Sequence, residues 1–169
     1  MDQVSFRPLT IDDLSLMHRW LAMPHVNEWW HERLDLDGVH AKYVPGIEGI
    51  EPTHVFVIEC ARPIGWIQWY RWANYPKHAA LLGAEPETAG IDLAIGEVTA
   101  LNLGLGSRAI RAFVESVVFA EAGITACISD PETANRRSIR AFEKAGFAVL
   151  NTVQHPDESV TRCIVRRAR

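Results

Sequence analysis

The stretch "ALNLGLGSRAIRAFVE", Ala100–Glu115, decides how this chain is read. Its centre, Gly104-Leu105-Gly106-Ser107-Arg108-Ala109, has the form G-x-G-x-x-A. Glycines let a backbone come close to a phosphate, and a helix N-terminus offers N–H groups at the positive end of the helix dipole. Beyond the glycines, Ile110, Phe113, Val114 and Val117 recur at helical spacing, with Arg108, Arg111 and Glu115 on the other face. That pattern predicts a helix from Leu105 to about Ala122, stopped by Gly123. A dinucleotide fingerprint would open a first βαβ unit directly after its strand. Here Gly96–Leu103 intervenes after the strand-like "IDLAI", Ile91–Ile95, and the unit lies past mid-chain. A dinucleotide is therefore disfavoured. Taken alone, the two glycines fit phosphate gripping and plain tight-turn chemistry equally well.

Upstream, Val4–Pro8 is strand-like, and Thr10 precedes a helix from Ile11 to about Leu21 with Asp13 near the capping-box position. Leu14, Met17, Trp20 and Leu21 form its apolar stripe, and Pro24 ends it. "PHVNEWWHERLDLDGVHAKYV" reads as a loop and then a short helix after Asp35. "THVFVIEC" and "IGWIQWYRW" are strands of a hairpin turning through Ala61-Arg62-Pro63. "YPKHAALLGAEPETAG" is rich in turn residues and reads as a loop with some local structure. Downstream come a strand, "TACIS", and a helix, "NRRSIRAFEKAGF", with Asn135 as N-cap and Gly146 just past its end. Two strands follow, "AVLNTVQ" and "SVTRCIVR", parted by His155-Pro156-Asp157-Glu158. The order predicts an α/β fold, a mixed central sheet flanked by helices, in one domain over residues 1–169.

The totals narrow the function classes. With 21 acidic and 17 basic residues the formal net charge is −4, which disfavours nucleic acid and suits a small cationic partner. No apolar run reaches the roughly 20 residues of a membrane span, and "MDQVSFRPLT" lacks a signal-peptide pattern, so a cytoplasmic location is expected. Cys60, Cys127 and Cys163 sit apart in apolar runs and are expected to be reduced core thiols. The seven histidines show no zinc spacing, and no metal is expected. Oligomeric state is not readable.

The loop Leu101, Gly104, Gly106 and the later run Asn135, Ile139, Phe142, Glu143, Lys144, Gly146, Phe147 flank one strand. Together they resemble the GNAT family of acetyl-CoA-dependent N-acyltransferases, whose loop reads Q/R-x-x-G-x-G/A and whose next helix carries N-x-x-A-x-x-x-Y-E-K-x-G-F. Four further pieces, the W-L…H-V-x-E-W-W segment, P-I-G-x-x-Q-x-Y, G-I-D and D-P…N…E-K-A-G-F, are similar to the aminoglycoside 6′-N-acetyltransferases of bacterial resistance. The first segment also resembles siderophore-pathway lysine N-acyltransferases, the alternative enzyme reading. A non-catalytic acyl-CoA sensor is a third reading.

The resemblance implies acetyl-CoA as co-substrate, with its pyrophosphate on the glycine loop. It assigns Leu93, Ala94, Ile95, Leu103, Gly104, Leu105, Gly106, Ser107, Asn135 and Phe142 to coenzyme binding. Asp92 matches the strand aspartate beside the thioester and is the candidate catalytic base. Glu28, Trp29, Gln68, Asp92, Asp130 and Asp157 are the candidate substrate residues. Carboxylates suit this role, because a polycationic acceptor needs acidic partners and its attacking amine must shed a proton. Amides around Leu93 and Ala94 are placed to stabilise an oxyanion. An aspartate between Ile91 and Leu93 in an apolar strand is itself unusual. Asp130, before a proline, and Asp157, in a turn, fit a purely local role as well. Trp66, Gln68, Tyr70 and Trp72 share one strand face, which could be core or a stacking wall for a sugar or cation.

The chain departs from the family at three places. Phe142 stands where many relatives carry a tyrosine that protonates the leaving thiolate. Leu101 and Asn102 differ from the family loop. "YPKHAALLGAEPET" replaces an acidic, tryptophan-rich loop after the third strand.

Overall fold

The computed structural model describes residues 3–169, and its contacts divide into two compact units. One comprises the described residues up to Gln68 together with Leu93–Leu105; the other comprises Trp69–Asp92 and Gly106–Arg169.

In the first unit, strand β1 (Ser5–Pro8) pairs antiparallel with β2 (His54–Cys60), from Ser5 opposite Glu59 to Pro8 opposite Phe56. A 3-10 turn, Ile11–Asp13, leads into helix α1 (Leu14–Leu21). The Asp13 carboxylate gathers the entry to that helix. It accepts from the Thr10 amide at 2.9 Å, the Thr10 hydroxyl at 2.8 Å and Arg7 at 2.7 Å, and Arg7 also donates to Glu59 at 3.0 Å. The Arg7 guanidinium holds the Asp13 carboxyl down at about 2. Helix α1 buries Leu14, Met17, Trp20 and Leu21, the expected stripe.

Pro24 does more than end α1. It also occupies the first turn of helix α2 (Pro24–Trp30), where a missing N–H costs nothing, so the expected loop is a helix. Helix α3 (Leu36–Ile47) follows, starting after Asp35 as expected; the Asp35 Oδ1 caps it by accepting from the Gly38 amide at 2.8 Å. The core of this unit joins Leu14, Met17, Trp20, Val39, Tyr43 and Val57 to Trp66 of strand β3 (Arg62–Arg71). Trp20 and Trp66 stack at 6.0 Å.

In the second unit, "PKHAALL" forms helix α4 (Pro76–Leu82), not the expected loop; Pro76 opens it and Gly83, at φ +65°, closes it. Strand β4 (Thr88–Ile95) pairs in parallel with β5 (Ala126–Ser129) through Thr88, Ala89 and Gly90. Helix α5 (Leu105–Phe113) does not run regularly to Ala122. The Ser116 hydroxyl donates to the Ala112 carbonyl at 2.6 Å, competing with the helical ladder, and Val114–Val118 widens into a π turn. Helix α6 (Arg136–Lys144) starts at Asn135, whose Oδ1 accepts from Ser138, and is followed by Gly146 at φ +94°. Strands β6 (Ala148–Gln154) and β7 (Thr161–Ala168) are antiparallel, and β7 is antiparallel to β5. The strand order is β1-β2-β3-β4-β5-β7-β6, a mixed sheet as expected. Cys127 and Cys163 are buried, and burial pushes both thiols up; Cys60 is only half-buried, so the core expectation holds for two of the three.

The Asp13 carboxyl titrates lower folded than unfolded, so its stabilisation is present above about pH 4 and is lost as pH falls toward about 2. Asp13→Asn is expected to cost about 2 kcal/mol at pH 7 in urea denaturation, a difference that narrows steadily below about pH 4.

Candidate active site

The glycine loop ends in a bare main-chain surface. Asn102 adopts φ +63° and Gly104 φ +73°, left-handed values that favour glycine at the second position. Among the described residues, a Cβ built on Gly104 or Gly106 meets nothing within 4 Å. Leu103 is 63% exposed, and α5 begins one residue after Gly104. The first-turn amides of a helix have no carbonyl partner inside it, which suits the start of α5 to an anion. No carboxylate lies between Ala100 and Arg108. Open approach, helix-terminal amides and a loop free of carboxylates in its own sequence all fit a pyrophosphate.

A pocket of about 250 Å³ lies within the second unit, lined by Tyr70, Trp72, Tyr75, His78, Asp92, Asp130 and Arg162. Its construction starts at Gly90. A Cβ there would stand 2.4 Å from the Tyr70 ring, so only glycine lets that ring lie on the β4 backbone. Two residues on, Asp92 accepts a hydrogen bond from the Tyr70 hydroxyl. Burial, with Asp92 and Asp130 close by, pushes the Tyr70 hydroxyl well above its ordinary range, so the phenol stays protonated as a donor. Tyr70 meets Trp72 edge-on at 5.0 Å and Tyr75 at 5.2 Å, giving the pocket aromatic walls.

Asp130 is 7% exposed at the end of β5. His78 Nε2–H donates to its Oδ2 at 2.9 Å, and Arg162 donates to its backbone carbonyl at 3.2 Å. Arg162 is held in turn by Glu158 at 2.7 Å. A carboxylate this buried needs such partners, because desolvation alone would cost several kcal/mol.

Of the residues singled out from the sequence, Asp92 and Asp130 line this pocket together. Asp157 does not; it is exposed in the turn before β7, where its amide donates to His155 Nδ1, and its neighbour Glu158 makes the contact to Arg162. Glu28 is exposed and Trp29 half-buried on α2, and Gln68 is half-buried on β3, all in the first unit. Leu93, Ala94 and Ile95 continue β4 in that unit, where the Ile95 carbonyl bonds His25 Nε2 at 2.9 Å. The β4–β5 register ends at Gly90 opposite Ile128, before these residues. Asn135 caps α6, and Phe142 is buried against Phe147 at 5.0 Å. The sequence reading missed Tyr75, His78 and Arg162. The Pro76 and Gly83 bracket around a run of helix formers was the available signal for α4 and hence for His78; nothing local marks Arg162.

The acetyltransferase (GNAT) domain model matches residues 10–155. The aminoglycoside N(6′)-acetyltransferase type 1 of Klebsiella pneumoniae is 32% identical over 160 residues, covering 92% of this chain and 79% of that protein. Aminoglycoside acetyltransferase AAC(6′)-Ib in complex with paromomycin and acetyl-CoA matches with a TM-score of 0.84 at 31% identity, over 99% of this chain and 94% of that one. The same enzyme with coenzyme A and kanamycin matches with a TM-score of 0.83 at 30% identity, covering 99% and 95%. The chain therefore belongs to the GNAT acetyltransferase family, among its aminoglycoside 6′-N-acetyltransferases.

Proposed function

We propose that this chain moves the acetyl group of acetyl-CoA to the 6′-amine of an aminoglycoside, in the cytoplasm, by direct attack with both substrates bound. The observation that carries the acceptor side is the pocket that pairs two carboxylates, Asp92 and Asp130, with the aromatic walls Tyr70, Trp72 and Tyr75. Carboxylates compensate ammonium charge, and aromatic faces attract cations and sugar rings. The AAC(6′)-Ib structures hold kanamycin, ribostamycin and coenzyme A, which supports the same pairing of substrates here.

Each step has a residue suited to it. Acetyl-CoA supplies the thioester whose carbonyl carbon receives the amine. The amides of Leu105, Gly106 and Ser107 grip its pyrophosphate, and Ser107 adds a hydroxyl. Asp92 takes the proton that the attacking ammonium must lose, directly or through one water. Tyr70 fixes the Asp92 carboxylate by its hydrogen bond. One β4 amide after Asp92, at Leu93 or Ala94, stabilises the oxygen that becomes negative as the C–N bond forms. The C–S bond then breaks, and the second proton, which the nitrogen sheds as the amide forms, passes through water to the thiolate, because Phe142 carries none to give. A thiolate is a stable enough leaving group for this to suffice.

Incubation with acetyl-CoA and kanamycin is expected to release free thiol and give a product acetylated at the 6′ nitrogen, located by NMR, whereas lysine is expected to give none. Thiol release with lysine alone would remove the aminoglycoside reading. Asp92→Asn is expected to lower kcat by at least about a hundredfold with acetyl-CoA affinity retained, measured by stopped assay and calorimetry. Gly90→Ala is expected to displace the Tyr70 ring and lower kcat/KM for kanamycin at least about tenfold in a protein whose circular dichroism is unchanged.

A further inference from the structure

His78 has no part in the steps above, yet it sits in the pocket on one of the two carboxylates. Helix α4 carries it there. Its ring stacks on Trp72 at 5.1 Å and 22°, and the His155 ring lies 5.3 Å away. The charged and titratable groups facing it are Asp130 at 2.9 Å, Arg162, Glu158 and His155, with Asp92 and Tyr70 in the same lining. Arg162 Nε stands 4.0 Å from Asp130 Oδ2, the atom that His78 also holds. The Asp130 carboxylate thus has one fixed cation beside it and one that titrates.

We propose that His78 is a pH-dependent specificity residue of the acceptor pocket: protonated, it takes the Asp130 carboxylate in place of the acceptor's ammonium, and neutral, it yields that carboxylate. The proposal rests on the aminoglycoside reading above. An ammonium brought to Asp130 meets repulsion from the imidazolium, so acceptor binding and His78 protonation oppose each other. By linkage each weakens the other by the same factor. The hydrogen bond to Asp130 raises the His78 titration above the usual imidazole value, with burial and Arg162 acting against it. Acceptor affinity therefore improves as pH rises through that raised value.

The acceptor's own amines also titrate, so the test compares wild type with His78→Gln, which keeps a donor but no charge. KM for kanamycin, followed from about pH 6 to about pH 8, is expected to fall about tenfold further in wild type than in the variant, with matching pH profiles for KM of acetyl-CoA. In wild type, the His78 ring resonances are expected to titrate at lower pH once kanamycin is bound. A kanamycin pH profile identical in the two proteins, or a His78 titration unmoved by kanamycin, overturns the proposal while leaving the acetyltransferase reading intact. Wild-type protein that turns over no aminoglycoside at any pH overturns both. The resonance measurement needs only wild type, so it decides the matter even if the variant does not fold.

Discussion

The site hangs on a close approach of ring to backbone. The Tyr70 ring fills the space that any side chain at position 90 would take, 2.4 Å from where a Cβ would stand. Because it lies there, its hydroxyl reaches Asp92 two residues further along β4. The G-I-D run is thus one device: the glycine admits the ring, and the aspartate receives its proton donor. A phenol kept protonated by burial and two nearby carboxylates is a dependable donor across the physiological range. It fixes the direction of the carboxylate without adding charge that would compete with a cationic acceptor.

Charge balance then decides how the second carboxylate survives burial. Asp130 has little access to water and leans on His78 and, through its carbonyl, on Arg162. Arg162 is committed to Glu158, which reduces the positive charge it can offer. The titratable partner His78 is the one that can change the local balance. An arginine in its place would neutralise Asp130 permanently, and an apolar residue would leave a buried charge under-compensated.

What the sequence disclosed follows from how local each signal is. The glycine loop, the start of α6 at Asn135 and the stripe of α1 are short-range patterns, and each lies where the chain alone placed it. Strand alternation put Tyr70 and Trp72 on one face, and both line the pocket. The misread pieces, α2 and α4, are seven-residue helices that begin with proline. At that length there is no periodic stripe to detect, and proline at the first turn looks like a breaker. The π turn at Val114–Val118 interrupts a helical pattern that continues in the sequence, so no composition reveals it. His78 and Asp130 are 52 positions apart, so their contact is a property of the sheet order and not of either segment.

The departures from the family pattern sort by what carries each function. Under the proposed activity the coenzyme is gripped by amides, and amides are present whatever the side chain. Leu101 and Asn102 can therefore differ without loss, provided the backbone keeps its left-handed turns at 102 and 104. The acceptor pocket is made of side chains, so substitution there changes chemistry directly. The short helix α4 delivers an imidazole to Asp130. A side chain that donates to a carboxylate, in place of further carboxylates, leaves fewer places for ammonium groups. Under the proposed activity, the number of ammonium groups the pocket can meet then depends on the charge state of the groups that hold Asp130.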